Sequence, residues 1–238
     1  MALKKSQKFN YGALKERLNL VRNIVYYKRG FEELSLNVTN ACPNACVFCI
    51  RDRDSGWGVS NLYLSEDPSI DDIIVAFNKE SDRLNKLEVN LKRVKICGYG
   101  EPLLRFEDLI PIISHIRKKE PTTEIQIATS GWSYFRFVPQ KDNLLKKAVD
   151  NGLTHIFLSL NSSDKESYRR IVRPGIDNYD ESAFEDTLKF GVMAKELGLD
   201  VVLGFVDLKS LDKKKAKKLA ESKGLRYRIR EFEKGEAK

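Results

Sequence analysis

Short apolar runs alternate with amphipathic stretches along most of the chain. Six runs have the length and the β-branched or aromatic content typical of strands. They cover residues 33–38, 93–97, 124–128, 155–160, 200–205 and 226–232. Between them, apolar residues recur every three or four positions, which predicts helices that pack through one face, most clearly at Leu109, Ile112, Ile113 and Ile116. Strict alternation of strand and helix predicts right-handed β–α–β units and a parallel sheet.

Six strands are fewer than the eight that close a (β/α) barrel. We therefore predict an α/β fold of the partial (β/α)6 TIM-like barrel type. In such folds the reactive groups lie on loops at the carboxyl ends of the strands, so these loops are the first place to look for chemistry.

A lead-in helix is predicted ahead of the first strand. Its apolar positions are Leu14, Leu18, Val21 and Val25, and Gly30 follows them. The pattern covers residues 11–28. We therefore divide the chain into a basic helical extension, residues 1–32, and one barrel domain, residues 33–238. Of the whole chain, 42% of the residues are hydrophobic, which is enough for a buried core.

The composition argues against a membrane protein and against a disulfide scaffold. No apolar run approaches the ~20 residues that span a bilayer, and the amino-terminal residues lack the apolar segment of a signal peptide. We expect a cytoplasmic protein with no membrane partner. Three of the four cysteines fall within eight residues, and in a reducing compartment they would serve as metal-binding thiolates.

Positive charge is concentrated at the two ends of the chain, within a net charge of +8. Residues 211–238 carry eleven Lys and Arg against five Asp and Glu, and residues 1–33 carry eight against three. The basic residues named for the carboxyl end are Lys213, Lys214, Lys215, Lys217, Lys218, Arg226, Arg228 and Arg230. Alternation puts the three arginines on one strand face. Two interpretations remain open: a solvated basic surface, or a surface that docks RNA.

The cysteine motif follows directly after the first predicted strand. Cys42, Cys46 and Cys49 have the spacing C-x3-C-x2-C. Three thiolates in one loop leave one iron of a [4Fe–4S] cluster without a protein thiolate, and that iron can bind a ligand. Zinc is the alternative, but a structural zinc site has four ligands, usually as two separated pairs. The remaining sulfur, Cys97, ends a different strand, so the cluster is favoured.

This spacing, with Phe48 just before the last cysteine, resembles the signature of the radical S-adenosylmethionine (radical SAM) superfamily. Residues 97–102, Cys-Gly-Tyr-Gly-Glu-Pro, follow the second strand, where the superfamily carries a Gly-Gly-Glu-like motif. The resemblance implies a [4Fe–4S] cluster on Cys42, Cys46 and Cys49, S-adenosylmethionine as second cofactor, and an external electron donor of the flavodoxin or ferredoxin kind.

The resemblance also implies which strand ends hold S-adenosylmethionine. Glu101, within the turn Gly98, Tyr99, Gly100, would pair with the methionyl ammonium, and Thr129 and Ser130 would meet the methionyl carboxylate. Ser159 and Asn161 would contact the ribose, and Gly204 would let the adenine lie against the fifth strand. Each of these residues also suits an ordinary turn, cap or close packing contact.

Two segments, residues 37–51 and 159–174, more narrowly resemble the proteins often called TatD-linked radical SAM proteins. This resemblance implies a short enzyme without a second cluster domain, and it names no substrate. Arginine and aromatic residues on nearby loops are candidates for substrate contact: Arg51, Arg53, Trp57, Trp132, Tyr134, Arg170 and Arg173. Arg51 and Arg173 are preferred because the resemblance includes them.

Three functions therefore compete. The first is a radical SAM enzyme that abstracts hydrogen from a small metabolite or from RNA. The second is an activating enzyme that acts on a partner protein. The third is a non-catalytic metal-binding module for nucleic acid, which the basic ends suggest.

Overall fold

A single sheet of seven strands organises the computed structural model, which describes residues 23–52, 62–139, 143–175 and 180–232. The strands lie side by side in chain order. They are β1 (Val25–Lys28), β2 (Glu33–Asn37), β3 (Arg93–Cys97), β4 (Glu124–Thr129), β5 (His155–Ser159), β6 (Asp200–Val206) and β7 (Arg226–Arg230). Strands β2 to β7 are parallel, and β1 pairs antiparallel with β2 at one edge. The α/β partial-barrel prediction is confirmed.

Helices connect the parallel strands. Those in the described residues are α1 (Ile70–Lys86), α2 (Phe106–Lys119), α3 (Ser133–Phe137), α4 (Leu144–Asp150), α5 (Lys165–Ile171), α6 (Ala183–Glu196) and α7 (Lys213–Ser222). Helix α1 begins with a capping box: Asp72 N donates to Ser69 Oγ at 3.2 Å, and Ser69 N donates to Asp72 Oδ2 at 2.9 Å. These two bonds satisfy backbone donors that a helix start leaves open. In the part of the chain described, no helix is both long enough and apolar enough to cross a bilayer.

Alternation along each strand separates the core from the barrel interior. On β2 and β3, Leu34, Leu36, Val94 and Ile96 are fully buried in the main hydrophobic core. Because successive side chains point to opposite faces, the residues between them face the other way. On that inner face lie the polar and charged side chains that matter for the site, including Lys95, which lines the central cavity.

A row of alternating acidic and basic side chains crosses the amino ends of the parallel strands. Its members are the first residues of β2 to β7: Glu33, Arg93, Glu124, His155, Asp200 and Arg226. Arg93 lies 3.5 Å from Glu33 and 2.6 Å from Glu124, and Arg226 pairs with Asp200. The charged groups at the amino ends of the strands are thus paired with one another. The cysteine loop lies at the opposite end of the sheet, where the strands have their carboxyl ends.

The prediction of a helix over residues 11–28 is wrong at its carboxyl end, because Val25–Lys28 forms strand β1. Val25 pairs with Leu36 across an open sheet edge, and this long-range pairing overrides the local helical spacing. Residues 1–22 lie outside the described residues, so the rest of that helix stays a prediction. The helix after β5 is capped by Asp164, whose Oδ1 accepts from Ser167 N at 2.8 Å.

Candidate functional site

The carboxyl ends of the strands surround a cavity of about 270 Å³. Cys42, Cys46 and Cys49 all line it as partly exposed free thiols. Most of the residues predicted to contact the cofactor line it too: Phe48 of the cysteine loop and, near the strand ends, Gly98, Tyr99, Gly100, Glu101, Thr129, Ser130, Ser159 and Asn161. The fold therefore brings together residues from separate segments of the chain, as the sequence predicts.

A segment that follows helix α5 clamps the cysteine loop through the backbone. The three bonds are Ala45 N to Arg173 O (3.1 Å), Val47 N to Ile171 O (2.9 Å) and Gly175 N to Pro43 O (2.8 Å). Arg173 takes part through its carbonyl, with a positive φ of 51°. The Nε atom of Arg173 donates to Arg170 O at 3.3 Å. Arg173 is not among the described residues that line the cavity. The structure thus gives Arg173 a bracing role, where the sequence predicts a substrate contact.

Arg51 holds the same loop from inside. Its guanidinium donates to the carbonyls of Asn40 (3.2 Å) and Asn44 (3.3 Å). Its Nε donates to Cys49 Sγ at 3.4 Å. A planar, always charged guanidinium suits this fork of contacts. Arg51 therefore positions the cysteines in this structure, and the predicted substrate contact would compete with these bonds.

Two of the three thiols are held in their protonated form by burial. Burial raises the pKa of Cys42 to about 12, with the Glu101 carboxylate adding to the effect. Burial also raises the pKa of Cys46, and Arg51 lowers both values. Coordination deprotonates such thiols, and soft thiolate donors suit iron–sulfur clusters. Among the described residues, no three Cys, His, Asp or Glu side chains converge to hold a single metal ion. A cubane needs no such convergence, since each thiolate binds a different iron.

Glu101 is the centre of a buried hydrogen-bond network that links two strand ends. Its Oε1 accepts from Leu103 N (3.1 Å) and Thr129 Oγ1 (2.5 Å). Its Oε2 accepts from Ser130 N (2.8 Å) and Ser130 Oγ (2.7 Å). Only 3% of Glu101 is exposed, and burial raises the pKa of its carboxyl while the four donors oppose that rise. Two carboxylate oxygens have about four acceptor positions, and here all are used.

This network changes the roles predicted for Thr129 and Ser130 and adds a structural role to Glu101. The hydroxyls of Thr129 and Ser130 donate to Glu101, so they cannot at the same time donate to a methionyl carboxylate. Glu101 braces the ends of β3 and β4, a role that the sequence does not suggest. Because its acceptor positions are already used, Glu101 would pair with the methionyl ammonium through its charge or by releasing one of these donors, and that pairing remains a prediction.

The glycine-rich turn packs tightly against the segment between β2 and the cysteines. Gly98 has a φ of +139°, and a side chain there would overlap the Asn37 amide. A side chain at Gly100 would overlap the carbonyl of Thr39. Close approach, rather than flexibility alone, therefore requires these two glycines. The turn is fixed by Glu101 N donating to Ala41 O at 2.8 Å.

Asn161 offers an unused polar atom to the cavity. It is 3% exposed and has a φ of +60°, and its Oδ1 finds no hydrogen-bond donor among the described residues. A buried acceptor of this kind normally has a partner. The ribose hydroxyl predicted from the sequence would supply one.

Gly204 plays a different part from the predicted adenine contact. A side chain there would overlap the ring of Phe157, and Gly204 is absent from the described residues that line the cavity. In this structure its missing side chain makes room for Phe157. The Gly204 carbonyl also accepts from Asn161 N at 2.9 Å, which holds the strand end in place.

The other substrate candidates separate into three groups. Trp132 and Tyr134 are buried in the core, at 2% and 3% exposure. Arg170 is exposed and donates to Ser167 Oγ at 3.2 Å. Arg53 and Trp57 lie outside the described residues.

The basic residues near the carboxyl end do not form one surface. Arg230 lines the cavity, so β7 turns its arginine face toward the barrel interior. Ile229, on the opposite face, packs with a core that includes Ala216 and Ala220 of α7. The sheet therefore separates the arginines from the lysine-rich helix. The predicted RNA-docking surface, which combines the two, is not present in the described residues.

Trp132 links the core to the cysteine loop, and this gives a testable prediction. Its Nε1 donates to Asn44 Oδ1 at 3.0 Å. Trp132→Phe keeps the aromatic packing and removes this bond, so the loop should hold a cluster less firmly. We expect a loss of about 1–2 kcal/mol in stability and a lower iron content after reconstitution.

Iron analysis and denaturant unfolding measure the two effects. Phe135→Leu is a matched control, because it changes a nearby aromatic residue of the same short helix whose ring carries no hydrogen-bonding group. Equal iron content in wild type and Trp132→Phe would contradict the positioning role.

Comparison with known proteins shows the family and the fold of this chain. The sequence pattern of the Radical SAM superfamily matches residues 36–222. A GTP 3′,8-cyclase of Aliarcobacter butzleri is 27% identical over 87% of this chain and 57% of its own length. A probable GTP 3′,8-cyclase of Methanocaldococcus jannaschii is 30% identical over 63% of this chain and 43% of its own. The chain thus spans about half the length of these relatives.

A solved structure shows the same fold. Streptococcus suis SuiB bound to S-adenosylmethionine superposes with a TM-score of 0.61 at 15% identity. The superposition covers 85% of this chain and 41% of SuiB. At this level of identity the likeness concerns the fold alone.

Proposed function

The chain belongs to the radical SAM superfamily, and we propose that it abstracts a hydrogen atom from a small molecule bound inside its partial barrel. The observation that carries the proposal is the cysteine loop. Cys42, Cys46 and Cys49 line one cavity together with strand-end residues expected to hold S-adenosylmethionine. The donor set fits a [4Fe–4S] cluster, because it supplies three soft thiolates and leaves one iron open.

When bound, the reduced cluster supplies the electron that cleaves S-adenosylmethionine to methionine and a 5′-deoxyadenosyl radical, which takes the hydrogen atom. The protein's own residues orient and protect this chemistry. Arg51 and the clamp after α5 fix the cysteine loop. Asn161 Oδ1 offers an acceptor to a ribose hydroxyl, and the Glu101 network fixes the turn beside the cysteines.

The electron must come from outside, and we propose a donor of the flavodoxin or ferredoxin kind. A small substrate is favoured over RNA or a partner protein because the charged side chains near the cysteines face the barrel interior. Lys95 and Arg230 both line the cavity. The lysines of α7 lie on the other side of the sheet, where they are ordinary solvated charges.

Formation of 5′-deoxyadenosine tests the proposal. The full chain is reconstituted anaerobically with iron and sulfide, reduced, and incubated with S-adenosylmethionine. We expect 5′-deoxyadenosine above the level of a Cys46→Ala control, because that variant lacks one of the three thiolates. Equal amounts from both proteins would contradict the proposed function.

GTP is the first substrate to test, since several relatives carry the name GTP 3′,8-cyclase. If GTP is the substrate, it should increase the yield of 5′-deoxyadenosine and itself be converted. The same assay with bulk tRNA in place of GTP addresses the RNA alternative. A rise with tRNA alone would favour RNA over the small molecule.

A further inference from the structure

Two cations converge on one aromatic ring in the interior of the barrel. Lys95 comes from β3 and Arg230 from β7, while Phe157 lies on β5 between them. Lys95 Nζ lies 5.2 Å from the centroid of the Phe157 ring, and Arg230 Cζ lies 5.1 Å from it. All three side chains line the cavity that the cysteines also line. The ring thus anchors both cations by cation–π contact, without neutralising either charge.

The charge of Lys95 is compensated only in part. In the part of the chain that the structure describes, Lys95 makes no ion pair and donates no hydrogen bond. The nearby Glu33 carboxylate is shared by Lys28 at 3.6 Å and Arg93 at 3.5 Å. Burial lowers the pKa of Lys95, which is the expected response of an ammonium enclosed by protein. An enclosed cation whose one nearby carboxylate is shared with two other cations is costly, so the interior favours an anion from outside.

The position of this pair suits a ligand that reaches up to the cysteines. Lys95 lies two residues before Cys97, the last residue of β3, which is about 7 Å along the strand. Arg230 is itself the last residue of β7, so an anion that both cations reach lies between the depth of Lys95 and the strand ends that carry the predicted cofactor contacts. The remainder of such a ligand would extend from the anion toward the cysteine loop.

We propose that Lys95 and Arg230 form an anion-binding site that holds the phosphate or carboxylate group of the substrate. That the bound anion belongs to the substrate rests on the proposed function. That an anion binds here rests only on the positions of Lys95 and Arg230. Arginine offers a planar fork of donors to an oxyanion, and lysine adds a compact point charge. The substrate class is therefore a small molecule with an anionic group at one end and the reacting C–H bond at the other.

Binding of simple anions tests the site. The reconstituted full chain is titrated with inorganic phosphate and, separately, with acetate at constant ionic strength, and followed by calorimetry and thermal shift. Lys95→Met and Arg230→Gln should each weaken binding about ten- to a hundredfold, the usual effect of losing one charged hydrogen bond. Preference for phosphate or for acetate identifies which group the substrate carries.

Arg226→Gln is the matched control. Arg226 lies on the same face of the same strand, but at its amino end, where it pairs with Asp200 and is not among the described residues that line the cavity. We expect anion binding within about twofold of wild type in this variant. Lys95→Arg, which keeps the charge, should retain most of the affinity and shows that Lys95→Met fails through charge rather than misfolding. Binding of neither anion, or binding that both substitutions leave unchanged, would overturn the proposal.

Two further measurements separate this inference from the proposed function. Lys95→Met should keep the cluster absorbance and the affinity for S-adenosylmethionine, and a loss of that affinity would assign Lys95 to the cofactor and overturn the substrate role. A wild-type chain that binds phosphate through Lys95 but forms no 5′-deoxyadenosine would disprove the proposed function and leave the anion site standing. Formation of 5′-deoxyadenosine without anion binding would disprove the anion site and leave the proposed function standing.

Discussion

Alanine at Cys42, Cys46 or Cys49 is expected to remove the whole cluster, whereas alanine at Cys97 is expected to keep it. Each of the first three thiolates would bind its own iron, and alanine at any one of them would leave two irons of the cluster without a protein thiolate. Cys97 also lines the cavity, but it ends β3 and lies 3.4 Å from the hydroxyl of Tyr26 rather than in the cysteine loop. Its thiol is therefore not part of the predicted ligand set.

Iron and sulfide analysis after reconstitution measures this result. Wild type and Cys97→Ala should hold about four irons per chain, and the other three variants close to none. The fold should survive in all four, because the loop is also held by Arg51 and by its backbone bonds to residues 171–175. Far-ultraviolet circular dichroism is the control for that. Loss of iron in Cys97→Ala, with iron kept in one of the others, would show that the ligand assignment is wrong.

Glu101→Gln is expected to have the second largest effect, on both the fold and the cofactor. The substitution replaces an acceptor oxygen with an amide that donates, so at least one of the four donors around it loses its partner. An unsatisfied donor in a buried network of a charged group costs about 3 kcal/mol. The same change removes the negative charge predicted to pair with the methionyl ammonium, so affinity for S-adenosylmethionine should fall about ten- to a hundredfold.

Denaturant unfolding of the cluster-free chain measures the first effect, and calorimetry with the reconstituted chain measures the second. Glu107→Gln is the matched control, because Glu107 is an exposed carboxylate in the first turn of α2. It should change the free energy of unfolding by less than about 1 kcal/mol. Lower stability with unchanged affinity would leave Glu101 as a purely structural brace. Unchanged stability would show that the network contributes little.

Local patterns in the sequence were sufficient for the parallel fold and the cysteine motif. The six parallel strands and the helix Phe106–Lys119 follow from apolar periodicity, because burial of one face imposes the period of the element itself. The C-x3-C-x2-C spacing also lies within eight residues, so the loop brings its own candidate ligands together. For the same reason the glycines beside Glu101 could be recognised as a strand-end turn.

Local patterns failed where the outcome depended on a distant partner. The spacing of Val21 and Val25 suits a helix, but Val25 lies in an edge strand because β2 offers unpaired backbone groups. Tyr134 is an aromatic residue of the type that often contacts ligands, yet it packs in the core against Phe190. The two ring centroids lie 5.2 Å apart. Neither contact leaves a signal in the neighbouring sequence.

The family, the candidate cluster ligands and the end of the sheet that carries the chemistry can all be inferred from the sequence, since each depends on a short motif or a regular period. The pairing of the polar atoms in the site follows instead from the three-dimensional fold. Trp132 meets Asn44 across 88 residues, and Thr129 meets Glu101 across 28. Lys95 and Arg230 likewise meet over Phe157 from separate strands. Hydrogen bonds and charges act over a few ångströms of space, so such pairs form only after the sheet has brought distant strands together.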